Sequence, residues 1–309
     1  MIDTNDSEFL SRIEDKDLLA KVCDAKTAAG MIQPGDILGI SGFTPCGYPK
    51  ITMHELAERM KETPFQVDIW TGAPTGSQID TELVAVNGIR DRMPYQTNSN
   101  LRKAINAGTI NYFDLHLSHV AQQIRAGFFT NVHGERVTGP DFAVVEVCKI
   151  VNDNGKVGLV PTTAIGNSPV FVDTAKKVIV EVNTTQPKAL DGMADIYMRK
   201  NPPFCEPIPI KKTGDRIGTT YIPVDPEKIV AIVPCDLPDV TRPLAPLDDD
   251  AIRMGNNLVD FLKNEVKQGR LPENLLPLQS GVGNVANAVI NGLVNSDFKD
   301  LTVYTEVIQ

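Results

Sequence analysis

Short apolar runs rich in β-branched residues alternate with helical runs along most of the chain, and this alternation constrains the fold more than any other feature. Residues 37–41 are such a run, and a loop rich in Gly and Pro follows at 42–49. Residues 53–60 come next, with apolar side chains three or four positions apart, as on one face of a helix. Two further strand and helix pairs are predicted at 67–86 and 113–126. The pattern predicts an α/β protein with an open, mostly parallel sheet flanked by helices.

The chain is long enough for about two domains. One antiparallel pair is predicted around Asn154-Gly155, because Asn-Gly supplies the positive φ angles of a tight hairpin. Prolines and glycines accumulate from 184 to 226, and a long helix is predicted at 248–268. We therefore predict a first domain at 1–225 and the start of a second, similar α/β domain at 226–309.

Composition excludes several classes of protein. The formal net charge of −9 argues against nucleic acid as a partner, because a polyphosphate backbone repels an acidic surface. The sequence contains no apolar run long enough for a membrane helix, and its acidic start is unlike a secretory signal. The five cysteines include no C-x-x-C pair, which argues against a zinc site or a disulfide framework. A cytoplasmic protein without a membrane partner is expected.

A glycine turn near the end of the sequence is the most informative local feature. An apolar run at 275–279 precedes Ser280-Gly281-Val282-Gly283-Asn284, and a helix at 285–294 and a strand at 301–308 are predicted to follow. Glycines let a ligand approach backbone N–H groups, and the N-terminus of a helix favours negative charge, so this turn suits a phosphate or an oxyanion. Two glycines in a strand-to-helix turn also occur without any ligand.

The same glycines leave a second class of enzyme open. Gly281-x-Gly283-x-x-Ala286 matches the dinucleotide fingerprint, and Glu306 lies where an acid would bind a ribose. An NAD-dependent dehydrogenase is therefore an alternative. Only 23 residues follow Ala286, fewer than a dinucleotide-binding domain needs after its first glycine loop.

Several long motifs resemble the acetyl-CoA hydrolase/transferase family, which includes succinyl-CoA:acetate CoA-transferases. The strongest are LQSGVGNVANAV at 278–289 and YTEVIQ at 304–309. Further similar motifs run along nearly the whole chain: SGFT at 41–44, GYPK at 47–50, GAPTG at 72–76, MPYQ at 93–96, INAG at 105–108 and DLHLSH at 114–119.

The resemblance implies an acyl-CoA:carboxylate CoA-transferase, with succinyl-CoA and acetate as the expected pair and hydrolysis of acyl-CoA as a side activity. It implies that Glu306 is the nucleophile, which forms a glutamyl-CoA thioester. The family's CoA-contacting loop corresponds to seven residues: Leu278, Gln279, Ser280, Gly281, Val282, Gly283 and Asn284. Coenzyme A as substrate and covalent intermediate, a small carboxylate partner and a homodimer are expected. Because the family's usual chain is longer, a non-catalytic CoA-binding fragment that needs a missing domain is a further alternative.

Other motifs give weaker indications. His116 and His119 lack a third ligand at a recognisable spacing, so no metal site is expected. Residues 39–43 depart from the Gly-x-Ser-x-Gly elbow of serine hydrolases, and Gly76 is not followed by the Lys of a phosphate-binding P-loop. The loops at 42–49 and 72–76 are candidates to line the acyl pocket, because ligands of open α/β sheets bind at the carboxyl ends of the strands.

Overall fold

A computed structural model describes residues 3–43, 46–240 and 245–305, and these form two compact units. The first unit comprises the described residues at 3–211 and 215–240, and the second comprises 212–214 and 245–305. The predicted division after residue 225 differs from this one, because the strand at 229–235 pairs within the sheet of the first unit.

Eleven strands and eight α-helices are found in the part of the chain that the structure describes. The strands are β1 (Ile37–Ile40), β2 (Val67–Trp70), β3 (Ile89–Met93), β4 (Asn111–Tyr112), β5 (Phe129–Thr130), β6 (Arg136–Val137), β7 (Phe142–Asp153), β8 (Lys156–Pro161), β9 (Lys177–Asn183), β10 (Ile222–Pro223) and β11 (Ile229–Cys235). The helices are α1 (Ser7–Leu10), α2 (Ala25–Gly30), α3 (Ile51–Glu62), α4 (Ser99–Asn106), α5 (Leu117–Arg125), α6 (Ser168–Thr174), α7 (Asp249–Lys267) and α8 (Asn284–Val294).

The sheet of the first unit confirms the predicted fold class. Seven strands run parallel in the order β11-β9-β7-β1-β2-β3-β4. The long strand β7 continues past its parallel neighbours and pairs there with β8, which in turn pairs with β10, both antiparallel. Asn154 and Gly155 have φ angles of 52° and 85°, so the predicted hairpin turn is confirmed.

Helices cover both faces of the sheet, which is why the parallel strands are apolar on both sides. On one face, α2, α3 and α4 pack with the alternate strand residues Leu38 and Ile40. On the other face, α1, α5 and α6 pack with residues such as Ile37 and Val145. The predicted stripe of α3 is buried as expected: Met53, Leu56, Ala57 and Met60.

The second unit is built around α7 and α8. Asp248 caps α7, since its Oδ1 accepts from the N–H of Ala251 at 2.7 Å, so the acidic run here begins a helix. Val259 is buried against α8 residues, but Ile252, which belongs to the predicted stripe, is 37% exposed. The apolar run at 275–279 and the described part of the strand predicted at 301–308 form one parallel bridge, between Leu278 and Val303.

Two further expectations differ from the structure. The strand predicted at 113–117 is found earlier, as β4, and α5 begins at Leu117. The run at 79–86, paired with β2 in the sequence pattern, begins as a π-helical turn, Gln78–Leu83. No helix in the described ranges is long and apolar enough to cross a membrane.

Candidate functional site

Three loops meet at the carboxyl edge of the first unit, the edge of the sheet where the parallel strands end. Their described residues are 42–43 and 46–49 after β1, 71–77 after β2 and 162–167 after β8. The buried hydroxyl of Ser41 accepts from the N–H of Asn167 at 2.7 Å. A Cβ at Gly72 would lie 3.0 Å from that hydroxyl oxygen, and one at Gly166 only 2.1 Å. Glycine is therefore needed where these loops approach each other.

Tyr48 joins the first two loops. Its ring lies against Gly76, where an added Cβ would be 1.9 Å from the ring carbon Cζ. Its hydroxyl donates to Gln78 Oε1 at 2.9 Å, on the π-helical turn. Burial raises the pKa of the Tyr48 phenol to about 12, so the phenol stays protonated and acts as a donor.

Arg92 on β3 holds the carboxyl ends of β2 and β3 together. Its fully buried guanidinium pairs with Asp80, with Nε to Oδ1 at 3.1 Å and Nη2 to Oδ2 at 3.3 Å. Nη1 donates to Thr71 Oγ1 at 2.8 Å and to the carbonyls of Met93 and Pro94, both at 2.9 Å. One planar fork thus holds the start of the loop after β2 and the start of the loop after β3.

Lys50 lies at the centre of a second buried network. Its ammonium forms ion pairs with Glu146 on β7 and with Asp239, at 3.0 Å from Asp239 Oδ1. Burial raises the pKa of Glu146 to about 7, even though Lys50 and Asn183 act in the opposite direction. Burial disfavours the charged Lys50, but Glu146 and Asp239 outweigh it and raise the pKa of Lys50. Lys50 therefore stays charged.

Glu181 on β9 caps α3 from a distant part of the sequence. Its Oε2 accepts from the N–H groups of Lys50 at 2.7 Å and Ile51 at 3.3 Å, and its Oε1 accepts from Thr52 at 2.6 Å. A carboxylate at a helix N-terminus satisfies the open N–H groups and complements the helix dipole.

One group of side chains in the described ranges has the composition of a metal site: ligand atoms of Glu146, Glu181 and Cys235 lie within 4.8 Å of one another. The carboxylates already accept from Lys50 and from the start of α3. Because these donors supply the positive charge that a cation would bring, we assign the group a structural role.

The predicted CoA-contacting loop lies in the second unit and is open to solvent. Gly281, Val282 and Gly283 are exposed, and among the described residues no atom lies within 4 Å of a Cβ built at either glycine. Gly283 has a φ of 124°, directly before α8, and no side chain caps that helix. The loop therefore leaves both space and N–H groups for a ligand.

The segment that leads to Glu306 runs beside this loop. Thr305 Oγ1 donates to the carbonyl of Ser280 at 2.6 Å, and the N–H of Tyr304 donates to the carbonyl of Leu278 at 2.9 Å. Gln279 Nε2 also lies 3.5 Å from Thr305 Oγ1. The structure thus brings the loop to the residue before the predicted nucleophile. Glu306 itself lies outside the described residues.

Two other features of the first unit give weaker indications of function. The rings of His116 and His119 lie 5.7 Å apart, edge to face. A cavity of about 420 Å³ next to β2, β3 and β4 has Trp70, Phe113, Asp91 and Asp114 in its wall. Its carboxylates make it unsuited to an anionic acyl or carboxylate substrate.

Comparison with known proteins decides the family. The profile of the acetyl-CoA hydrolase/transferase N-terminal domain matches residues 8–234. The chain belongs to the acetyl-CoA hydrolase/transferase family. The resemblance found in the motifs is thereby confirmed, and the family is enzymatic.

Curated relatives agree with this assignment. The chain is 49% identical over 300 residues to succinyl-CoA:acetate CoA-transferase of Clostridium kluyveri, which covers 96% of this chain and 54% of the relative. It is 42% identical over 295 residues to acetyl-CoA hydrolase of Saccharomyces cerevisiae, which covers 94% of this chain and 55% of that protein. The chain spans about half the length of the curated relatives it matches.

Solved structures support the fold. The structure of RipA from Yersinia pestis aligns with a TM-score of 0.60 at 17% identity, over 94% of this chain and 56% of RipA. 4-Hydroxybutyrate CoA-transferase from Porphyromonas gingivalis aligns with a TM-score of 0.54 at 19% identity, over 94% of this chain and 55% of that one. The open, mostly parallel sheet is therefore a fold that CoA-transferases have.

Sequence reasoning missed the buried charges. Lys50 stands in the GYPK motif, but the sequence indicates no role for it, and none for Arg92, Glu146, Glu181 or Asp239. A signal was present: Glu146 and Glu181 each interrupt an apolar β run, and acids are rarely buried there without a partner.

Proposed function

We propose that this chain carries the machinery of an acyl-CoA:carboxylate CoA-transferase, with succinyl-CoA and acetate as the substrate pair and Glu306 as the nucleophile. Coenzyme A is then both substrate and covalent intermediate, and hydrolysis of acyl-CoA is a side reaction. The observation that carries the proposal is the contact of Ser280 with Thr305 in a member of this family. It joins an exposed, anion-suited loop to the residue before Glu306.

The chemistry follows from a carboxylate beside such a loop. The Glu306 carboxylate attacks the thioester carbonyl, the C–S bond breaks, and CoA leaves as a thiolate, so that a mixed anhydride of the acyl group and Glu306 remains. The thiolate then attacks the glutamyl carbonyl, which releases the first carboxylic acid as its carboxylate and leaves a glutamyl-CoA thioester. A second carboxylate reverses both steps, so the thioester energy is conserved.

The exposed N–H groups after Gly283 suit the developing negative charge. An oxyanion forms in each addition step, and donors fixed before the reaction stabilise it without reorganisation. The N-terminus of α8 offers such donors, because Gly283 has no side chain that would cap them. We propose that Leu278, Gln279, Ser280, Gly281, Val282, Gly283 and Asn284 form the CoA-contacting loop.

The test is intact mass spectrometry of the full-length protein, whether that is this chain or a longer one that contains it. After incubation with succinyl-CoA or acetyl-CoA at neutral pH, we expect an adduct of one CoA that maps to Glu306 and disappears on treatment with borohydride. Glu306→Gln should abolish the adduct with the fold unchanged. Glu273→Gln, which changes an exposed acid of the second unit, is the matched control and should keep it.

The alternatives give different results in the same samples. Binding of CoA without an adduct would indicate a non-catalytic CoA-binding fragment. Binding of NAD without binding of CoA would indicate the dehydrogenase. Membership of a CoA-transferase and acetyl-CoA hydrolase family favours the transferase over both. A homodimer remains part of the proposal, to be tested by the mass of the native protein.

A further inference from the structure

We propose that Lys50 is a positioning residue whose buried ammonium, bonded to Glu146 and Asp239, holds residues 46–49, the described end of the loop after β1, in the conformation that binds substrate. Lys50 lies directly after this loop and directly before α3. The kinetic part of the test rests on the proposed CoA-transferase function, whereas the structural part does not.

The ammonium of Lys50 has a full set of partners. It is 1% exposed and donates to Glu146 Oε2, to Asp239 Oδ1 at 3.0 Å and to the carbonyl of Tyr48 at 3.1 Å. An ammonium has three N–H donors, and three acceptors surround this one. One of these acceptors, the carbonyl of Tyr48, belongs to the loop itself. The ammonium of Lys50 therefore links the loop backbone to Glu146 on the sheet.

Asp239 holds the loop from the other side. Its Oδ1 also accepts from the N–H of Gly47 at 3.1 Å. Its Oδ2 accepts from Thr163 Oγ1 and Gln186 Nε2, both at 3.0 Å. Asp239 therefore ties the loop after β1 to segments that follow β8 and β9.

Glu146 completes the network. Its Oε1 accepts from Thr162 Oγ1 at 3.2 Å and its Oε2 accepts from Asn183 Nδ2 at 2.9 Å. Each carboxylate that meets Lys50 is thus itself fixed by further donors. The position of the loop is set by strand ends that lie far apart in sequence.

Stability alone does not explain such a network. Burying ions costs desolvation free energy that their attraction only partly returns, so apolar packing of the same volume is often at least as stable. What the ion pairs supply is a fixed geometry. Tyr48 packs in the core, but Gly47, whose N–H Asp239 binds, has no side chain to hold it, since its φ is 63° and a Cβ there would lie 2.9 Å from Ala164.

Cys46 provides a probe of the loop. It is half-buried, whereas Cys235 is fully buried in the core and Cys205 is exposed. Alkylation of the three thiols by iodoacetamide, a neutral reagent, can be followed by peptide mass spectrometry. The alkylation rate of Cys46 then measures opening of the loop, and that of Cys235 measures opening of the core. The rate at the exposed Cys205 serves as the reference for the reagent.

In the variant Lys50→Met, loosening of the loop and the loss of charge change the alkylation rate of Cys46 in opposite directions. Burial and the charge of Asp239 raise the pKa of the Cys46 thiol, and Lys50 opposes them. Loss of Lys50 therefore lowers the thiolate fraction and, by charge alone, slows alkylation. We expect the opposite: alkylation of Cys46 about tenfold faster with Cys235 still protected, because the loop opens locally. Lys61→Met, an exposed lysine on α3, is the control and should change nothing.

Unchanged or slower alkylation of Cys46 in Lys50→Met would overturn the proposal. If Cys235 became reactive as well, the core would have opened in Lys50→Met. The variant Asp239→Asn would then decide whether the ion pairs position the loop. This variant keeps the size of the side chain and removes the charge. The rate per thiolate at Cys46, with the thiolate fraction taken from the pH dependence of alkylation, should rise several-fold while Cys235 stays protected. An unchanged rate per thiolate would refute the positioning role.

Steady-state kinetics of the full-length protein test whether the position of the loop affects substrate binding. A loop that must order before it binds lowers affinity by the fraction of molecules in the competent conformation. We expect a KM for a substrate about tenfold higher in Lys50→Met, with kcat changed little. A lower kcat at unchanged KM would indicate a merely structural role and would overturn the proposal. If the wild-type protein transfers no CoA, the proposed function fails, and the alkylation rates still decide the role of Lys50.

Discussion

Replacement of Arg92 by Lys tests whether the fork geometry of the guanidinium holds the carboxyl edge. A lysine can keep the pairing with Asp80, but its single nitrogen cannot also serve the acceptors of Nη1. These are Thr71 Oγ1 and the carbonyls of Met93 and Pro94. The Met93 carbonyl still accepts from the N–H of Thr71 at 2.8 Å, so the acceptors most affected are Thr71 Oγ1 and the Pro94 carbonyl, which is left with the Thr71 hydroxyl at 3.5 Å. Each buried acceptor left without a good donor costs about 1–3 kcal/mol. With partial relaxation, we expect a loss of about 2–4 kcal/mol in the free energy of unfolding.

Trp70 makes this loss measurable in the first unit. It is the only tryptophan of the chain, it is 4% exposed, and it lies one residue before Thr71. Denaturant unfolding followed by its fluorescence gives the free energy at a fixed m-value. Arg216→Lys is the matched control. Arg216 also meets an aspartate, Asp195, and two carbonyls, but it is 56% exposed, so its loss should stay below about 1 kcal/mol.

The result that would refute the reasoning is a loss below about 1 kcal/mol for Arg92→Lys, equal to that of Arg216→Lys. It would mean that water or a shift of the backbone satisfies Thr71 Oγ1 and the Pro94 carbonyl. A changed m-value would show that the native or denatured state had changed in compactness.

Two further predictions concern the same edge. Because the pKa of Glu146 is raised from 4.5 to about 7, the folded state holds this proton more tightly than the unfolded state, and stability falls as pH rises from about 4.5 to about 7. Glu146→Gln should remove that part of the pH dependence, ~3 kcal/mol at most, in unfolding curves measured between pH 4.5 and 8; an unchanged slope would contradict the raised pKa. Gly76→Ala should lower the midpoint of thermal unfolding, with a loss of about 1–3 kcal/mol, because the new Cβ overlaps the Tyr48 ring. Gly30→Ala, with open space around it, should be neutral or slightly stabilising, and an equal effect of the two substitutions would contradict the packing argument.

The parts of the fold that could be predicted from sequence are those with local causes. The stripe of α3 repeats at helical spacing, and the β7–β8 turn depends on the backbone preferences of Asn154 and Gly155. The strand predicted at 113–117 is wrong because β4 pairs with β3 through only two residues, too few for a periodic signal. Ile252 was expected in a core that the described second unit does not provide.

The candidate site was predictable only in part. The loop at 280–284 can be recognised from sequence because glycines directly before a helix leave room for a ligand at the helix N-terminus. The segment at 304–305, which contacts this loop, belongs to the second family motif, YTEVIQ. The partners of Lys50 could not be predicted, because Glu146 and Asp239 lie 96 and 189 residues away in sequence and meet it only through the strand order. A lone acid in an apolar strand indicates a buried partner without saying which one.

The carboxyl edge explains why charges are buried in this fold at all. The loops at 71–77 and 162–167 approach their neighbours through Gly72, Gly76 and Gly166, positions that have no side chain with which to pack. The position of such loops must then be fixed through backbone N–H and carbonyl groups, which need partners when they are buried. Arg92 binds such carbonyls and Asp239 binds such an N–H, and each is held in turn by a buried opposite charge. The desolvation of these ions is thus the consequence of building the carboxyl edge from glycine loops.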